Sequence, residues 1–130
     1  TQRTMLRWLA MTCLAVNFAK ARSQAGQDKL LRRILARIGT TNQYFVEFGF
    51  NADSIDGGSG SNTAELYHKG WHGLLLDGSH TNTSINLHAH YISSQNIVEL
   101  LRHYHVPLAP DYVSIDLDST DLWVMRSLLS

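Results

Sequence analysis

The sequence predicts an α/β domain built on a mostly parallel sheet. Three observations lead there. Residues 44–50 (YFVEFGF), 74–76 (LLL) and 111–117 (DYVSIDL) are short apolar runs with little alternation, as expected of strands buried on both faces. Helical patterns lie between them. Between the first two runs stands a loop rich in Gly, Ser and Asn, followed by a short helix pattern, which makes a βαβ unit.

Composition narrows the class of protein. A chain of 130 residues is about one domain. With 44% hydrophobic and 17% charged residues it has enough apolar material for a core. The net charge is zero, so no electrostatic case for nucleic acid or an anionic membrane arises. Cys13 is the single cysteine, which excludes an internally disulfide-stapled scaffold. The chain begins at Thr1 and stops at Ser130 inside a predicted helix, so a truncated form of a larger domain is expected.

Residues 1–22 read as a packed N-terminal helix or as a secretory signal segment starting at Met5. The uncharged run 8–19 is shorter than the roughly 20 residues that span a bilayer, so no stable membrane span is expected. A cytoplasmic location follows from the helix reading, and the secretory pathway from the signal reading. Residues 28–38 form an amphipathic helix with Leu30, Leu31, Ile34, Leu35 and Ile38 on one stripe and Gly39 as its stop.

The strand at 44–50 carries Glu47 in its middle. A carboxylate there requires hydrogen-bond partners, from backbone N–H groups or from a ligand. Asn62 and Glu65 have capping-box spacing for the next helix, which Gly70 ends. The second strand ends at Asp77 and Gly78. Residues 81–92 are ambiguous, with a short strand expected near 91–93. Residues 96–104 are helical. Ser119 or Thr120 caps a last helix, whose buried side is read as Leu122, Trp123, Met125, Leu128 and Leu129.

The ordered segments SQAGQDKLL (23–31), YFVEFGF, SNTAEL, GWHGLLLDGS, SQNIVELL (94–101) and DYVSIDLDSTDLW (111–123) resemble the FkbM-like branch of class I S-adenosylmethionine-dependent methyltransferases. The resemblance covers residues 23–130 and implies part of a Rossmann-like three-layer sandwich, truncated after the fourth strand. It implies S-adenosylmethionine as cofactor, with Glu47, Gly49, Phe50, Asn62 and Thr63 around its methionine part. Asp77, with Gly78, would hold the ribose, and Gln95 and Asn96 the adenine. Asp116 and Asp118 would face the transferred methyl group, one of them serving as base toward a small-molecule or glycan acceptor. The first turn departs from the pattern: Gly49-Phe50-Asn51 has no second glycine two positions on, and a GxG occurs only at 58–60. In the strand order 3-2-1-4 that the resemblance implies, the strand at 111–117 is an edge, so self-association through it is expected.

Three other readings stay open. Asp116-Leu117-Asp118 is a DxD, which in glycosyltransferases holds a metal and a sugar nucleotide. His88-x-His90 and His103-x-His105 could chelate a metal, although scattered surface histidines explain them as well. An inactive relic of the fold would show the same motifs.

Overall fold

The computed structural model describes residues 24–57 and 61–130. The N-terminal segment 1–22 and the GxG at 58–60 lie outside the described residues. The chain divides into two units, one ending at Thr41 and the other spanning Asn42–Ser130.

In the first unit, α1 (Gln24–Ile38) follows the expected stripe, with Leu35 buried and Lys29, Arg32, Arg33 and Arg37 exposed. Gly39 ends it at φ 76°, its N–H bonded to the Leu35 carbonyl. Only glycine takes that conformation without cost.

The second unit is α/β. Its strands are β1 (Tyr44–Phe48), β2 (His72–Asp77), β3 (Leu87–Ala89) and β4 (Tyr112–Ile115), all parallel, in the order β3-β2-β1-β4. Three short helices accompany them: α2 (Ala64–His68), α3 (Ile97–His103) and α4 (Asp121–Leu129). The four-stranded parallel sheet with these three helices is compatible with a Rossmann-like fold, and α1 of the first unit is the fourth helix among the described residues. None of these helices is long and apolar enough to cross a membrane.

Side chains alternate along each strand, so register assigns the faces. Val46, Phe48, Leu74 and Leu76 join Ile92, Ile97 and Val124 in one buried cluster, flanked by Val98 and Leu101 of α3 and Leu128 of α4. The opposite face carries Phe45, Glu47, Leu75, Asp77, Leu87 and Ser114, all buried. Phe45 pairs with Gly73, and a Cβ on Gly73 would lie 2.1 Å from the Phe45 ring. The absent side chain is therefore the space that the ring fills.

Several boundaries differ from expectation. The first strand ends at Phe48, because Gly49 (φ 77°) and Asn51 (φ 52°) turn the chain into the left-handed region. The third strand is Leu87–Ala89, not 91–93. Asn82 accepts the Ser84 N–H and caps a single 3-10 turn, and Asn86 (φ 56°) aims the chain into β3. Asn62 does not cap α2. Thr63 stands at the cap position without a side-chain bond to the helix, and the Ser61 hydroxyl accepts the Ala64 N–H instead. Glu65 pairs with Lys69 at 2.7 Å. Neither Ser119 nor Thr120 caps α4 with its side chain; the Asp121 carboxylate accepts the Leu117 N–H at 2.7 Å. On α4 the buried residue is Val124, whereas Leu122 and Trp123 are exposed. Leu128 packs on the sheet cluster as read, but Val124, outside the stripe read in the sequence, takes the buried place in the first turns of the helix.

Candidate functional site

Parallel order 3-2-1-4 reverses direction between β1 and β4, and crevices at such switch points receive ligands outside the carboxyl ends of the strands.

Glu47 is the penultimate residue of β1 and is 2% exposed. Its Oε1 accepts the Asn62 N–H at 3.0 Å, and its Oε2 accepts the Thr63 hydroxyl. Asn62 also donates its side-chain amide to the Ser114 hydroxyl at 3.1 Å. Ser114 is the residue of β4 that pairs with Glu47. Glu47, Asn62, Thr63 and Ser114 thus form one network binding β1, β4 and the segment before α2. Burial raises the Glu47 carboxyl above its ordinary range; the Thr63 and Asn62 donors oppose this, and the charge of Asp116 adds to it.

Asp77 ends β2 and is also buried. Glu47 pairs with Leu75, so Asp77 lies two residues further along the neighbouring strand, on the same face. Its Oδ2 accepts the Asn51 N–H at 2.8 Å. Its Oδ1 accepts the Ser79 N–H (2.9 Å), the Ser79 hydroxyl (3.2 Å), the His80 N–H (3.1 Å) and His80 Nδ1 (2.7 Å). Burial pushes this carboxyl upward, but the His80 ring and the N–H groups of Ser79, Asn51 and His80 outweigh it and hold the group well below the carboxylate range.

The turn after β1 does not present its N–H groups to a ligand, as a nucleotide-binding glycine turn is expected to do. Gly49 and Phe50 both donate to the Leu76 carbonyl, at 2.9 and 3.4 Å, and Asn51 donates to Asp77. The close approach that requires Gly49 is to β4: a Cβ there would lie 1.9 Å from the Asp116 carbonyl oxygen. Phe50 is buried.

The other predicted residues are less gathered. Asp116 and Asp118 follow β4 and are exposed, with Asp118 at φ 60°. Partial desolvation of the Asp116 carboxyl on its protein side, helped by the charges of Asp118 and Asp121, raises it. Gly78 and Gln95 are exposed. The Asn96 amide is occupied within its own loop, accepting the Ser93 N–H at 2.8 Å and donating to the Tyr91 carbonyl at 2.7 Å.

Sequence reasoning missed Asn51, Ser79 and His80, the three residues that clasp Asp77. It singled out His88, His90 and His103 but missed Tyr104, the residue that gathers them. His88 stacks on Tyr104 with ring centroids 4.3 Å apart, His90 Nε2 lies 2.6 Å from the Tyr104 hydroxyl, and the His103 ring meets Tyr104 edge-on. These histidines are assembled, not scattered, yet no group of three or more His, Cys, Asp or Glu among the described residues is placed to hold a metal.

Geometry and chemistry together define an α/β protein with two buried carboxylates at the carboxyl ends of adjacent parallel strands. Comparison with known proteins adds no relative: no family model, curated protein or solved structure matches the chain.

Proposed function

We propose that this chain binds S-adenosylmethionine and belongs to a methyltransferase acting on a small-molecule or glycan oxygen. One observation carries the reading: Glu47 and Asp77 stand at the same end and on the same face of neighbouring strands, beside the reversal point of the sheet. The order of motifs resembling FkbM-like methyltransferases supports it.

S-adenosylmethionine, when bound, supplies an electrophilic methyl group on a sulfonium leaving group. The chain's own residues then have positioning roles. Glu47, held by Asn62 and Thr63, would take the cationic amino group of the methionine part. Asp77 would accept from the ribose hydroxyls. Phe50 and the Gly49 turn would border the ligand, with Gly78 beside the ribose and Gln95 and Asn96 on the adenine side. Asp116, whose carboxyl is raised, can accept a proton from an acceptor hydroxyl. Asp118 would assist in orienting that hydroxyl.

The test is calorimetry with S-adenosylmethionine and its demethylated product on the wild type and on Asp77→Ala. The reading requires binding that the substitution largely abolishes. Tight binding of a manganese–sugar-nucleotide complex, with none of S-adenosylmethionine, would replace it with the glycosyltransferase reading of the DxD.

A further inference from the structure

We propose that His80 is an intramolecular competitor for Asp77, so that a ribose diol gains full access to this carboxylate only when the imidazole swings away. The inference rests on the reading of Asp77 as the ribose acceptor.

The geometry is specific. Asp77 Oδ1 is crowded by four donors, while Oδ2 carries one. A carboxylate has about four lone-pair directions in all, and five donors already converge on Asp77, so an incoming hydroxyl must compete with one of them. Three of the donors on Oδ1 are the Ser79 and His80 backbone N–H groups and the Ser79 hydroxyl, which belong to the turn itself. The fourth is the His80 ring; like the Ser79 hydroxyl it leaves by side-chain rotation alone, but at 2.7 Å against 3.2 Å it is the closer of the two. Its side chain is 27% exposed against 9% for Asp77, so it closes the solvent side of the carboxylate. Rotation leaves the turn intact and opens an acceptor toward solvent.

The block depends on pH. The groups facing His80 are Asp77, from its own turn, and Asp53, from the loop after β1. The hydrogen bond to Asp77 raises the imidazole above its ordinary value, desolvation opposes this, and the charges of Asp77 and Asp53 add to it. As pH falls through that raised value the ring becomes a cation, and its bond to the carboxylate becomes charge-assisted on both sides. A neutral diol then competes less well.

The experiment measures the affinity of the demethylated cofactor by calorimetry from pH 5.5 to 8.5, on the wild type, His80→Ala and His80→Gln. Expected is a wild-type affinity that falls with acid. His80→Ala should bind about tenfold tighter than wild type at the acid end, the scale of one partly exposed charge-assisted bond. His80→Gln keeps a donor but no titratable charge, and its affinity should lose the acid dependence. Equal binding by wild type and both variants at every pH, or weaker binding by His80→Ala, overturns the competitor role while leaving the ribose reading standing. No binding by any of the three at any pH overturns the ribose reading, and the inference with it.

Discussion

The Asn51 N–H donates to Asp77 Oδ2 at 2.8 Å, joining the turn after the first strand to the end of the second. Asn51 reaches that position only at φ 52°, a conformation that asparagine adopts more readily than most residues. With the Gly49 and Phe50 donors on Leu76, three successive N–H groups of one turn are spent on the neighbouring strand. This clasp, rather than a phosphate-type cradle, is what the glycine turn builds here.

Glu47 separates structural from ligand roles. Glu47→Ala leaves the Asn62 N–H and the Thr63 hydroxyl buried without their acceptor, which should cost about 1–3 kcal/mol. Glu47→Gln keeps an acceptor and removes a charge that burial disfavours, so chemical denaturation should show a smaller loss. If Glu47 takes the ligand's amino group, the Gln variant nevertheless loses affinity for the demethylated cofactor in calorimetry.

Gly49→Ala should be poorly tolerated. Its φ of 77° alone disfavours a side chain by about 1–3 kcal/mol, and the new Cβ would collide with the Asp116 carbonyl. Thermal unfolding followed by circular dichroism should show a markedly lower midpoint, whereas Gly78→Ala, whose Cβ would meet nothing within 4 Å, should be near neutral.

The histidine cluster on Tyr104 should make the fold acid-sensitive. Burial lowers the His88 pKa, and the charges of His90 and His103 lower it further. A base with a depressed folded value is neutral in the folded state, so stability is lost as pH falls below the unfolded value of about 6.5. The melting temperature should drop between pH 7.5 and 5.5. His88→Phe, which keeps an aromatic ring against Tyr104, should reduce that drop.

β4 is an edge strand, and α4 exposes Leu122 and Trp123. Exposed apolar groups and an open edge favour association. We expect concentration-dependent oligomers in sedimentation velocity, shifted toward monomer by Leu122→Lys with Trp123→Lys. A wild type that stays monomeric at high concentration would contradict this.

Much of the fold was legible because it is local. Residues 44–48, 72–77 and 97–103 announce themselves by apolar runs and helical spacing, and Gly39 and Gly70 mark the ends of α1 and α2. β3 was misplaced because only three residues make it, and the turn of Asn82 and Asn86 that aims it has no hydrophobic period. The buried side of α4 was misread because a nine-residue helix carries too few turns to fix its phase against the sheet. Glu47 and Asp77 were recognisable as carboxylates at strand ends. Their partners were not, since Thr63, Asn51 and His80 meet them through loop geometry that no spacing encodes.

The Phe45 ring occupies the room left by Gly73 on the adjacent strand. Bulk at these two positions is therefore a shared quantity. In any lineage carrying this sheet, a larger residue at 73 should persist only alongside a smaller one at 45, so the pair should vary together through descent while each alone stays fixed.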